Sequence, residues 1–290
     1  MRIGLATQRD LMDWEVDDRP FHAELAARGV DVAHPIWNDP EVDWATFDAV
    51  LIRTTWDYTD DQAAFVAWAE RAERATRLFN PARVVRWNTH KGYLHQLETA
   101  GVHLAPTVWL PRGSPVDVAA TVRERGWSRG FVKPMVGATA RETLRFTADP
   151  AGLAEAQAFL ERTLAVEDMM LQPYLPAVEE VGERSVVFFG GRPSHGVRKV
   201  PVPGDYRVQD DFGAHDEPWS PSDDELELAS GVVRAAQALL GELLYARVDL
   251  LEDEQGRLVL TELELVEPSL FFRHDATAAA RLADALLARL

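Results

Sequence analysis

The stretch ARVDLLEDEQGRLVLTELELVEPSLFF, Ala246 to Phe272, decides how the rest of the chain is read. Two apolar runs flank DEQG, a four-residue turn, so the pair reads as an antiparallel hairpin. A four-residue loop sets Glu252 opposite Arg257 and Asp249 opposite Leu260. Because side chains alternate along a strand, Asp249, Glu262 and Glu264 then share one face and Val248, Leu250, Leu263 and Leu265 the other. Three carboxylates crowded on one sheet face repel each other and need cations beside them. Mg²⁺ held between carboxylates and substrate phosphates meets that need. The alternation LTELEL fits a solvent-facing acidic strand as well.

Working outward, the 290 residues suffice for one large domain or two to three smaller ones on a shared core. The 47% hydrophobic and 27% charged content is that of an ordinary globular protein. Cysteine is absent, which excludes disulfides, thiolate metal sites and cysteine nucleophiles. A net charge of −17 argues against a general nucleic-acid binder, since phosphate backbones are held by Lys and Arg. No run of about 18 apolar residues occurs, so no membrane association and a cytoplasmic location are expected. Homo-oligomerisation stays open.

Ahead of the hairpin, PSDDELELASGVVRAAQALLGELL reads as a helix. Ser222 with Glu225 forms a capping box, and Leu226, Val233, Leu240 and Leu244 give an apolar stripe. Earlier, the segment around RSVVFFGGRPSHGVRKV is a hairpin turning at Gly190-Gly191. Its return arm carries Arg198 and Lys199, and a Pro-Gly loop follows with Arg207. These three cations mark an anion site, unless they are absorbed by Asp205, Asp210 and Asp211. GFVKPMVGATARETLRF is a further hairpin, with Lys133 in its first strand and Gly137 in a tip whose backbone N–H groups can face phosphate. The Walker spacing of a P-loop is absent.

The first 85 residues read as strand, helix and further strands in a parallel α/β layer: RIGLAT, a helix over Phe21, Leu25 and Gly29, VDVAHPIW and FDAVLIR. Ligands in such sheets bind beyond the carboxyl ends of the strands. That position holds Arg53, Thr54, Trp56, Asp57 and Tyr58, a candidate substrate loop, although Asp57 or Thr59 also suits the cap of the next helix. Asn80-Pro81 makes a turn, and Asn88 or Thr89 caps a helix carrying Tyr93, Leu94 and Leu97. Lys91 then falls in a first helical turn, where a cation is mildly unfavourable, and either serves a ligand or is a solvated lysine.

In this order the elements resemble the ATP-grasp superfamily of ligases, over nearly the whole chain. The resemblance implies an α/β fold with α+β character overall: an N-terminal parallel layer at 1–85, a nucleotide-binding core with an antiparallel sheet at 86–110 and 171–290, and a small lid at 111–170. It implies ATP and Mg²⁺ as cofactors. Lys91, Lys133, Gly137 and Thr139 would contact phosphates. Gln172, Pro173, Tyr174 and Leu175 would flank adenine, with Glu179 or Glu180 on ribose. Asp249, Glu262 and Glu264 would hold metal, while Arg198, Lys199 and Arg207 would face the γ-phosphate and an acyl phosphate. Two positions depart from the pattern: the loop has one glycine where relatives often have several, and Glu264 stands where asparagine is usual. The motifs RTTWDY, RWNTHK, GDYRVQ and ELELVEP resemble the cycloserine-forming (O-ureido-serine) cyclo-ligases, and more remotely glutathione synthetases and ribosomal-protein glutamate ligases. The implied activity is a Mg²⁺- and ATP-dependent ligase that activates a small, amino-acid-like carboxylate or ureido substrate for C–N bond formation, by ligation or cyclisation. A phosphotransferase on the same nucleotide site and a non-catalytic nucleotide binder are the alternatives.

Overall fold

A computed structural model describes residues 1–11 and 16–290. The N-terminal layer is a four-stranded parallel sheet in the order β2-β1-β3-β4, built from β1 (Arg2–Thr7), β2 (Asp31–Ala33), β3 (Ala49–Thr54) and β4 (Arg77–Phe79). Helices α1 (Arg19–Ala27) and α2 (Gln62–Ala75) connect the strands. Every residue of β3 is buried, as expected for a strand covered on both faces. The cap of α2 is Asp61, whose carboxylate accepts from the Ala64 N–H at 2.9 Å, rather than Asp57 or Thr59.

Two short helices follow, α3 (Ala82–Asn88) and α4 (Tyr93–Thr99). Asn88 and Thr89 end α3 instead of capping α4, and Lys91 lies just before α4. Asn88 is used elsewhere: its amide donates to the Leu263 carbonyl at 2.8 Å and accepts from the Leu265 N–H at 2.7 Å.

A second, four-stranded antiparallel sheet has the order β5-β8-β6-β7: β5 (Val108–Leu110), β6 (Arg129–Pro134), β7 (Leu144–Thr147) and β8 (Met169–Pro173). Helices α5 (Val118–Arg125) and α6 (Pro150–Leu164) bury Val118, Val122, Ala156 and Leu160 against it. The sheet therefore takes in β5 and the end of β8, which lie outside the 111–170 span.

The third sheet is five-stranded and antiparallel, β11-β10-β9-β12-β13. Its strands are β9 (Glu183–Phe189), which follows the one-turn α7 (Ala177–Glu180), then β10 (Arg192–Val200), β11 (His215–Trp219), β12 (Tyr245–Glu252) and β13 (Leu258–Glu264). Helix α8 (Asp223–Leu240) carries the Ser222/Glu225 capping box and packs on one face, where Val186, Phe188, Val248, Leu250 and Leu263 meet Val232, Val233 and Ala236. Leu244 lies beyond the helix end. The C-terminal α9 (Ala278–Leu287) packs against β9, β10 and α1.

Asn80 joins the N-terminal layer to this sheet. It is 1% exposed, donates to the carbonyls of Tyr245 (2.9 Å) and Leu265 (2.7 Å), and accepts from the Leu244 N–H (2.8 Å). The hydroxyl of Tyr245 lies 2.9 Å from the carbonyls of both Ile52 and Val266 and shares its single proton between them.

Candidate active site

The face of the third sheet opposite α8 forms the floor of a cavity of about 380 Å³, roofed by residues of the second sheet. Along β12 the alternation that sends Ala246, Val248 and Leu250 towards α8 sends Arg247, Asp249 and Leu251 into the cavity. The hairpin register differs from the four-residue-loop reading: Glu252 pairs with Leu258, and Leu250 with Leu260. Continued unbroken, it would set Asp249 across from Thr261 and turn Glu262 away. A bulge after Leu260 inserts Thr261, so Asp249 stands across from Glu262 and Arg247 across from Glu264. The three carboxylates do share the cavity face, by a route that strict alternation does not show.

They are also less starved of cations than their crowding suggests. Asp249 is fully engaged: it accepts from Ser185 Oγ at 2.6 Å, Lys199 Nζ at 3.1 Å and Arg247 Nη2 at 2.9 Å. Burial opposes its charge, but Arg247 and Lys199 outweigh that and hold it well below the usual carboxylate range. Lys91 Nζ lies 2.9 Å from Glu262 Oε1; burial again works against the charge, and Lys91 with Lys133 lowers Glu262 overall. Glu264 pairs with Arg247, yet burial and the neighbouring Asp249 and Glu262 push it up to about 7. Negative charge is thus in excess at the Glu264 end of β13.

The second sheet supplies the roof. Lys133 on β6 lines the cavity, and burial lowers its pKa; among the described residues its ammonium has no ion-pair partner. Lys91 donates to the Gly137 carbonyl at 2.8 Å, which pins the loop between β6 and β7 over the floor. Thr139 and Ala140 in that loop hold positive φ, 50° and 52°, an unusual conformation for residues other than glycine. Gln172, Pro173, Tyr174 and Leu175 line the wall at the end of β8 beside Phe131 and Tyr206. This gives an aromatic and apolar slot with backbone groups at its edge.

Several residues singled out in the sequence stand elsewhere. Arg198 and Lys199 are consecutive on β10 and so face opposite sides: Lys199 enters the cavity, bridging Asp249 and Glu183, while Arg198 pairs with Glu217 away from it. Arg207 lines the cavity but is gripped by Asp205 at 2.6 Å, with its guanidinium 3.8 Å from the Phe212 ring centroid. Glu179 pairs with Arg145 and accepts from Tyr174, and Glu180 is exposed. Glu183, not these two, lines the cavity. Of the loop after β3, Trp56 and Tyr58 reach the cavity. Arg53 is buried against Asp18 at 2.8 Å, Thr54 bonds Thr7 at 2.7 Å, and Asp57 accepts from Trp37 Nε1 at 2.7 Å.

Arg247, Glu183 and Glu267 are cavity residues that the sequence reading passed over. The signal for Arg247 was present, since it precedes Asp249 by two residues on a strand. Glu267 lies past the end of β13, where alternation no longer applies.

A Mg²⁺–nucleotide suits this arrangement better than a bare ion. Among the described residues no group of three or more His, Asp and Glu side chains is placed to hold a metal by itself. Mg²⁺ commonly takes only one or two carboxylates and completes its shell with phosphate oxygens and water. The half-exposed Glu262 and the charge-crowded Glu264 meet that requirement. Among the described residues no helix is long and apolar enough to cross a membrane.

Comparison with known proteins agrees with this geometry. The profile of the D-cycloserine synthetase DcsG N-terminal domain matches residues 3–80. The cycloserine biosynthesis protein DcsG of Streptomyces lavendulae is 35% identical over 308 aligned positions, covering 99% of this chain and 98% of the relative. The crystal structure of D-cycloserine synthetase DcsG superposes with a TM-score of 0.89 at 30% identity, covering 100% of this chain and 99% of that one. The D-alanine–D-alanine ligase of Bacillus anthracis, crystallised with ATP, shares the fold at a TM-score of 0.71 and 16% identity, with 99% and 96% coverage. With the relative matched end to end, and with Lys91, Lys133, Asp249, Glu262 and Glu264 gathered on one cavity, the chain belongs to the ATP-grasp ligases, in the family of the cycloserine biosynthesis protein DcsG.

Proposed function

We propose that this ligase activates the acyl group of a small amino-acid-like molecule by phosphorylation and directs a nitrogen onto it, closing a ring of the cycloserine type. The observation that supports this most is one shared cavity in which Lys133, without an ion-pair partner among the described residues, and the paired Lys199 and Arg247 stand with the carboxylates of Asp249, Glu262 and Glu264. A carboxylate is a poor electrophile, and an acyl phosphate is a good one. No protein nucleophile is needed, which suits a chain without cysteine.

Lys91 and Lys133 would neutralise phosphate oxygens from the roof side, and the slot formed by Gln172, Pro173, Tyr174 and Leu175 would take the adenine. Glu262 and Glu264 would hold Mg²⁺, which would offset negative charge during phosphoryl transfer. Arg247 is oriented by Asp249 and by the Ser269 carbonyl at 3.2 Å. It would present fixed N–H groups to the oxyanion that forms when the acyl group is attacked. Arg207 would join it once released from Asp205. Residues 111–170, with the loop at Gly137, would act as a lid that excludes water from the acyl phosphate. Trp56 and Tyr58 would bound the substrate end.

The test is ADP release over amino acids and O-substituted serines of both hands, with mass spectrometry of the products. A ring-closed product with one ADP per turnover supports the reading. A stable phosphorylated product contradicts it.

A further inference from the structure

Among the described residues, every buried or half-buried carboxylate on the cavity wall is matched by a protein cation except one. Asp249 has Arg247 and Lys199, Glu262 has Lys91, Glu264 has Arg247, and Glu183 has Lys199. Glu267 lines the same cavity, and among the described residues it forms no ion pair.

Its position is held firmly. The Trp56 indole N–H donates to the Glu267 carbonyl at 3.1 Å, and Arg53, locked to Asp18, donates to the next carbonyl, that of Pro268, at 3.1 Å. Tyr58, only 5% exposed, lines the cavity beside Glu267, whose charge acts on its hydroxyl. All three neighbours come from β3 and the loop after it, not from β8 or the roof loop. Glu267 therefore belongs to the substrate end of the cavity. Burial and the charges of Glu264 and Glu262 push the group up, and the more distant Lys91 offsets this only in part. A cation arriving beside it would relieve both penalties.

We propose that Glu267, flanked by Tyr58 and Trp56, anchors the cationic amine of the amino-acid-like substrate whose acyl group is activated beside Lys199 and Arg247. The inference rests on the ligase reading above and names the substrate group that reading leaves open. It carries a chemical consequence. A carboxylate partner favours the protonated amine, which has no lone pair, so this amine is withheld as a nucleophile and a different nitrogen closes the ring. Binding is an ion pair beside the Tyr58 ring; no covalent bond changes at Glu267.

The experiment compares cycloserine with isoxazolidin-3-one, the same ring lacking the amine, by calorimetry in the presence of Mg²⁺ and ADP. Wild type, Glu267→Gln and Glu267→Asp are each titrated. The proposal expects wild type to bind the aminated ring roughly tenfold or more tightly than the bare ring, as a charge-assisted contact implies. Glu267→Gln should lose that margin, Glu267→Asp should recover part of it, and ADP affinity should stay constant as evidence of an intact fold. Equal binding of the two rings by wild type, or a margin that survives in Glu267→Gln, overturns it. If neither ring binds, the cycloserine-type product is the assignment that fails. The comparison then passes to any amino acid that releases ADP and its deamino counterpart, and equal rates for such a pair overturn the amine anchor while leaving the ligase intact.

Discussion

Lys91 and Glu262 meet at 2.9 Å in the cavity, and the same ammonium is 2.8 Å from the carbonyl of Gly137 in the roof loop. One side chain thus ties the sheet floor, the roof loop and a candidate metal ligand together, although it precedes a helix and belongs to neither sheet. Lys91→Ala is expected to weaken ATP binding by about 10- to 100-fold, the range for losing a hydrogen bond to a charged group. Calorimetry with a non-hydrolysable ATP analogue checks this.

Lys133 should behave differently in stability. Burial lowers its pKa and it has no ion-pair partner among the described residues, so its charge is a cost to the apo fold. Lys133→Met is expected to keep or slightly raise the melting temperature while weakening ATP binding by a comparable factor. Thermal scans with and without Mg²⁺-ATP separate the two effects; a nucleotide-induced shift equal to that of wild type would contradict the role.

The Asn80 cross-link is a stability element remote from the chemistry. Asn80→Ala strands two carbonyls and one N–H between the N-terminal layer and β12, and is expected to destabilise by roughly 2–4 kcal/mol. Denaturant unfolding measures it. ADP release per folded molecule should stay near the wild-type value.

The pH dependence of the apo protein follows from Glu264, held near 7, and Glu267, held near 8. Both fall near 4.5 when unfolded, so between about 4.5 and 8 the folded chain binds more protons than the unfolded chain. Stability then declines as pH rises through that window. Glu264→Gln should remove part of the decline and raise the melting temperature at pH 8. Glu262 behaves oppositely: Lys91 and Lys133 favour its charged form, so Glu262→Gln should leave the apo protein the same or slightly less stable.

Much of this arrangement is legible in the chain because it depends on local periodicity. The β12–β13 hairpin, the capping box of α8 and the GFVKPMVGATARETLRF hairpin follow from alternation and turn chemistry, whereas Asp249, Glu262 and Glu264 share a face only through the irregularity at Thr261. What was missed depends on register and on partners distant in sequence. Alternation alone separates Arg198 from Lys199, but only their cross-strand neighbours show which one enters the cavity. Arg53 and Thr54 sit where substrate loops occur, yet Asp18 and Thr7 had already claimed them. The Thr261 bulge has no sequence signature, and without it Glu262 would face α8.

The carboxylate face of the β12–β13 hairpin remains the centre of the mechanism, and Mg²⁺-dependent, substrate-dependent ADP release measured on Asp249→Asn, Glu262→Gln and Glu264→Gln tests it most directly. Glu262→Gln and Glu264→Gln should each lose at least about 100-fold in rate, as for other deleted electrostatic contacts to a transition state. Asp249→Asn should fall as far, because Arg247 and Lys199 lose the carboxylate that orients them. Wild-type rates in all three variants, with melting temperatures preserved, would contradict both the metal assignment and the phosphoryl-transfer role of this face.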